Sequence, residues 1–200
     1  MKVISPRALP LMGWLLLAGC ASAPTERLTP PLADDEALLA PKARFVVPPP
    51  AAMGETVNVA QTIVARFHDT SYAFDAQLQI SPDELDLVAL DGLGRRALTV
   101  TWKDGKIQST AAPWLPPFVR PADILADIMI VYGPEQVVSS FATSAGAALT
   151  ATADQRMIAL GSRKVVVVKY GAGEDWSRSA KLHNFAFDYD IAIQSATISP

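Results

Sequence analysis

The sequence predicts a mainly β protein with some α, built as a curved antiparallel half-barrel of about ten strands with short helices covering the concave face. Three observations predict it. Apolar residues recur with a period of two through most of residues 56–110 and again through 148–197. Turn-forming clusters of Gly, Pro, Asn, Asp and Ser separate these runs. One stretch between them, 121–141, switches to helical spacing.

The chain has 200 residues, of which 50% are hydrophobic and 18% charged, enough for one ordinary domain with a remainder. Its 17 Lys and Arg against 20 Asp and Glu leave a net charge of −3. That balance disfavours a nucleic-acid partner, because phosphate contacts need a basic face. A single cysteine rules out a disulfide framework within the chain, and His68 and His183 are too far apart for the usual zinc-ligand spacing. No metal and no cofactor are expected.

The remainder lies at the start. Residues 1–10 carry Lys2 and Arg7 but no acid, and a short apolar run, Leu11-Met12-Gly13-Trp14-Leu15-Leu16-Leu17-Ala18, follows. This is a secretory signal pattern, well short of the roughly 20 apolar residues that span a bilayer. It ends in Leu17-Ala18-Gly19-Cys20, which resembles the lipobox of bacterial lipoproteins. That resemblance implies removal of residues 1–19, lipid attachment at Cys20 and, with Ala21 rather than Asp after the cysteine, the outer membrane facing the periplasm. Three acyl chains exceed the two signals that stable attachment needs. Residues 20–55 then read as a lipidated cysteine and a tether, since seven prolines fall within 21–55 and deny both helix and ladder hydrogen bonds. A brief helix over 33–40, opened by Asp34-Asp35-Glu36, fits inside it.

From Thr56 each element can be justified in order. Val57, Val59, Gln61, Ile63, Ala65 and Phe67 share one face of a strand, and Tyr72, Phe74, Ala76, Leu78 and Ile80 one face of the next. Ser81-Pro82-Asp83 turns the chain into a third strand over 84–90, and Asp91-Gly92-Leu93-Gly94 forms a tight turn with a large apolar tip. Leu98, Val100 and Trp102 mark the fourth strand, and Asp104-Gly105 is a two-residue hairpin signal before the fifth, 106–110. A proline-stiffened apolar loop, 113–118, leads to a helix over 122–132, with Ile124, Leu125, Ile128 and Met129 at helical spacing, and a second over 134–141. Strands resume at 148–153, 155–160, 164–170, 181–187 and 189–197. The run Val165-Val166-Val167-Val168 lacks alternation and reads as a central strand covered on both faces.

The order of signal, lipobox, spacer, five-strand meander, two-helix insertion and closing strands resembles the LolA/LolB-like lipoprotein superfamily. Asp91-Gly92-Leu93-Gly94 is similar to the Asn-Pro-Leu-Gly turn whose leucine meets the membrane in LolB, and the segment 121–141 matches the place of that family's lid helices. Within the group the chain looks closest to a lipoprotein family often encoded in aryl polyene biosynthesis clusters. The resemblance spans residues 56–200. It departs from LolB in the long proline-rich tether and in Gly92, where LolB has proline. It implies an outer-membrane lipoprotein that binds a hydrophobic or lipidated cargo, an aryl polyene lipid or a lipoprotein, taken from a periplasmic LolA-like donor and delivered to the outer-membrane bilayer.

The physics leads the same way, since a sheet of about ten strands curls and two short helices leave a hollow on its concave side. Burying an acyl chain of about sixteen carbons there is worth on the order of 10 kcal/mol, at about 0.8 per methylene. The candidate ligand wall is Leu98, Val100, Trp102, Ile124, Leu125, Ile128 and Met129, with Leu93 as the membrane-insertion point and Cys20 as the lipid attachment. Each has a plainer reading: the wall as dry core, Leu93 folded back under the sheet, Arg95-Arg96 as a solvated pair rather than a lipid-phosphate contact. Trp114, Leu115 and Phe118 read either as a loop packed on the body or as a membrane or partner contact, in the last case the docking surface of an assembly lipoprotein with no cavity ligand. No catalytic residue is expected. No Gly-x-Ser-x-Gly elbow or phosphate-cradling loop occurs, and neighbouring residues such as His68 and Asp69 point to opposite faces of a strand. Asp188 and Asp190 read as solvated.

Overall fold

The computed structural model describes residues 31–116 and 119–198. Cys20 and the signal segment lie outside them, as do Pro117 and Phe118 of the loop before the first helix.

The ten predicted strands form one open antiparallel sheet, a curved half-barrel with β-strands and helices in the expected order. A hairpin precedes it, β1 (Glu36–Ala40) and β2 (Ala43–Val46). The sheet strands are β3 (Val57–Phe67), β4 (Thr70–Ile80), β5 (Glu84–Leu90), β6 (Arg96–Lys103) and β7 (Lys106–Ala111), then β8 (Ala148–Ala151), β9 (Gln155–Leu160), β10 (Arg163–Tyr170), β11 (Ala180–Asn184) and β12 (Tyr189–Thr197). Between the two sets run α1 (Pro121–Tyr132) and α2 (Glu135–Ser144). The spatial order is β7-β6-β5-β4-β3-β12-β11-β10-β9-β8, so β12 returns to the middle and pairs β3 along nine residues from Tyr189↔Phe67 to Thr197↔Val59. The edges, β7 and β8, do not meet.

Turn chemistry sets the register. Asp104 and Gly105 both take positive φ, 51° and 69°, as a two-residue hairpin turn requires, and they place Lys103 opposite Lys106. Gly133 ends α1 because nothing larger fits there, since a Cβ on it would lie 2.6 Å from the Met129 carbonyl oxygen. Pro121 opens that helix, where its missing N–H costs nothing.

Three expectations are corrected. Residues 33–40 are not helical: Glu36–Ala40 pairs with Ala43–Val46, and Lys42 takes φ 73° at the turn. The segment 32–55 is therefore not tether alone. Ala37, Leu39, Phe45, Val47 and Met53 are buried in the main core, and Phe45 stacks on Phe141 of α2 at 4.5 Å between centroids. Burial of the alternate apolar side chains outweighs the helix preference of Ala and Leu. Leu32–Pro200 forms a compact unit with its own core.

The second correction concerns β10, an interior strand paired by β11 and β9, which is not covered on both faces as expected. Its pairing with β9 shifts register between Lys164 and Val166, so Val165 occupies a bulge. The bulge, not coverage of both faces, lets the neighbours Val165 and Val166 both be buried. The third is the end of β11. Asn184 Oδ1 accepts the backbone N–H groups of Ala186 (2.9 Å) and Phe187 (3.1 Å), and this side-chain turn stops the strand three residues before position 187.

Candidate functional site

On β3 the side chains of Val57, Val59, Gln61, Ile63, Ala65 and Phe67 face the helices. The first three are buried and the last three only partly covered. The same gradient runs along β4, from half-covered Tyr72 and Phe74 to buried Ala76, Leu78 and Ile80. On β12 Tyr189 and Ile191 are likewise half-covered. Pairing joins these residues into one apolar strip, with Ile63 opposite Phe74, Ala65 between Tyr72 and Ile191, and Phe67 opposite Tyr189. The helices and the β1-β2 hairpin thus seal one end of the concave face and leave the other partly open.

The predicted wall lies in the sealed part. Leu98, Val100, Trp102, Leu125, Ile128 and Met129 are all buried members of the hydrophobic core, and half-buried Ile124 packs against it. Trp102 sits between Leu85 and Ile107 across its two neighbouring strands. Two shallow depressions on the described surface, about 440 and 490 Å³, lie along α2 and next to Val46 and Pro48, and neither is lined by the predicted wall. The structure brings the predicted residues together as packing around α1. The floor that remains open, on β3, β4 and β12, was not singled out by the sequence.

Strand direction fixes which end is open. Phe67, Tyr72 and Tyr189 lie there, and Leu90 pairs Asp75 close by, so the β5-β6 turn projects from that end. At its tip Leu93 is 78% exposed. Asp91 Oδ1 accepts the N–H groups of Leu93 and Arg95, both at 2.9 Å, and Oδ2 takes the Arg95 side chain at 2.8 Å from Nε. The Arg95 hydrogen bonds hold the Asp91 carboxyl below its ordinary range. The turn that presents Leu93 is thus tied from within. Trp114, after β7, is 44% exposed and continues a row of near-parallel rings with Phe74 and Tyr72, each step 6.4 Å. Phe185, in the β11-β12 turn at the same end, is 53% exposed.

Polar groups on the floor bind α1 to the sheet. The Tyr132 hydroxyl meets Gln61 Nε2 (3.2 Å) and Ser195 Oγ (2.9 Å), and Tyr170 donates to the Val131 carbonyl (2.6 Å). At mid-helix Tyr189 Oη lies 2.9 Å from both oxygens of Asp127 and takes a 3.3 Å hydrogen bond from Asn184 Nδ2. Desolvation pushes the Asp127 carboxyl up to about 7, against the lowering effect of the Tyr189 hydrogen bond. A lone acid in the otherwise apolar stretch 124–131 of α1 is the sequence signal that marks this residue.

Asp190, read as solvated, pairs with His183 Nδ1 at 2.7 Å on the convex face. No group of three His, Cys, Asp or Glu suited to a metal occurs among the described residues. No helix among them is long and apolar enough to cross a membrane.

The DUF3261 family, described as proteins of unknown function, matches residues 58–197. The chain belongs to the DUF3261 family. Its match runs from the second residue of β3 to the last of β12, the whole of the open sheet and both helices, and leaves the β1-β2 hairpin outside. No curated protein matches the chain.

Proposed function

We propose that this DUF3261 protein is a lipid-anchored carrier, held through Cys20 in the outer membrane and facing the periplasm, that accepts a hydrophobic or lipidated cargo and releases it into the bilayer. The supporting observation is a coincidence of position: the partly covered apolar floor runs toward the end of the sheet at which Leu93, Trp114 and Phe185 are exposed. An acyl or polyene chain laid along Ile63, Phe74 and Ile191 leaves water without further work, and exposed apolar tips at the same end shorten its path to a membrane. The donor in this scheme is a periplasmic LolA-like protein, and no catalytic group takes part.

The exposure of Trp114 also favours a second reading, in which the loop beginning at 113 docks partner proteins and the concave face holds no ligand. Organic extraction of residues 21–200 purified from the periplasm, followed by mass spectrometry, separates the two. The carrier reading expects a stoichiometric amphiphile in the extract. A ligand-free extract, together with failure of added long-chain amphiphiles to bind, overturns it in favour of docking.

A further inference from the structure

Asp127 is the one acidic side chain of α1 that meets the half-open floor, and it is poorly served there. Asp123, one turn earlier, is occupied by the Leu38 N–H at 3.1 Å. Among the described residues Asp127 has only the Tyr189 hydroxyl, which stands at equal distance from both carboxylate oxygens. A carboxylate offers about four acceptor sites, and no cation lies within ion-pair distance of this one among the described residues. Tyr189 cannot supply more, because its single hydrogen is committed and its lone pair already accepts from Asn184. Residue 127 as a whole keeps partial exposure, as does its helix neighbour Ile124.

We infer that Asp127, positioned by Tyr189, is the polar end of the binding floor and selects amphiphiles whose head donates hydrogen bonds, a protonated amine above all and a hydroxyl next, while rejecting a free carboxylate. This rests on the carrier reading and adds the head-group class to it. The tail lies on the strip from Ile63 to Phe74, and the head fills the acceptor positions that Tyr189 leaves empty. Charge complementarity sets the order: an ammonium gives charge-assisted bonds, a hydroxyl neutral-to-charged ones, and a second carboxylate meets like charge in a poorly solvated place.

The test uses residues 21–200, which contain the compact unit with its own core, and three probes of equal tail length, dodecylamine, 1-dodecanol and dodecanoate. Binding is read below micelle-forming concentrations at pH 8 by the fluorescence of Trp114, with Trp114→Phe as the control that isolates its signal. The expected result is dodecylamine at least about tenfold tighter than dodecanoate, with dodecanol between. Asp127→Asn should bring the three within about threefold of one another, and Tyr189→Phe should keep the amine preference because the carboxylate remains. Equal binding of amine and carboxylate by the unmodified chain overturns the selector role and leaves the carrier reading standing. A uniform loss of all three probes in both variants likewise overturns it, showing Asp127 to be only a latch for α1. No binding of any probe overturns the carrier reading and the selector together.

Discussion

Tyr189 on β12 reaches across the concave face to Asp127 on α1, with its hydroxyl 2.9 Å from each carboxylate oxygen. The contact fastens the helix over the middle of the sheet, and it also keeps an acid where water is scarce, so the carboxyl gives up its proton only near pH 7.

That raised value makes stability depend on pH in a defined direction. Between the ordinary carboxylate value of 3.8 and about 7, the folded chain holds a proton at Asp127 that the unfolded chain has released. The stabilisation is complete below 3.8 and is lost as pH rises to 7. Asp127→Asn removes the dependence. Urea unfolding at pH 4.5 and pH 7.5 should show the variant gaining on the parent by on the order of 2–4 kcal/mol across the interval. Burial raises Asp123 in the same sense in both proteins and cancels. A gap between parent and variant that does not change with pH would show that Asp127 is well solvated.

The β1-β2 hairpin is held by Phe45, stacked on Phe141 at an interplanar angle of 12°. Phe45→Ala should cost about 3–5 kcal/mol in chemical unfolding, the ordinary range for a buried phenylalanine. A loss below about 1 kcal/mol would mean that the hairpin contributes nothing to the core and belongs to the tether.

Gly133 has a neighbour too close for any side chain. Its replacement by Ala sets a Cβ against the Met129 carbonyl that accepts the Gly133 N–H at 2.8 Å, so the last turn of α1 must open. A loss of roughly 1–3 kcal/mol and faster exchange of the amides at the end of α1 are expected, as for other overpacked sites. An unchanged exchange pattern would show that the turn adjusts freely.

Leu93 makes no contribution to the core, so Leu93→Glu should shift unfolding by no more than about 0.5 kcal/mol. On the carrier reading, co-sedimentation of residues 21–200 with phosphatidylethanolamine and phosphatidylglycerol vesicles should fall about tenfold or more, because one buried leucine is worth about 1.5–3 kcal/mol. Vesicle binding that survives the change removes Leu93 from the membrane contact.

Most of the fold was legible because period-two alternation is local. All ten strands of the open sheet and both helices occur in the expected order, most of them within a residue or two of where alternation, Asp104-Gly105, Pro121 and Gly133 put them, the end of β11 excepted. The β1-β2 hairpin was not legible, because Ala37, Leu38, Leu39 and Ala40 favour helix locally and become strand only through pairing with β2 and burial against α1 and β10. The bulge at Val165 was hidden in the same way, since a valine run looks alike whether it is covered twice or kinked once. The open floor was the hardest to see. Leu98, Val100 and Trp102 are as apolar in sequence as Ile63, Ala65 and Phe67, and only the path of α1 across the sheet decides which set is sealed.

The place of β12 has a consequence for how the protein is made. The meander β3 to β7 emerges first, but its inner flank has no neighbour until residues 189–197 arrive from more than a hundred positions downstream. Pairing over such a separation is slow to form. Through synthesis the first half therefore carries a bare strand edge, a hazard for aggregation, and removing the final strand would split the sheet into two pieces with no strand to join them.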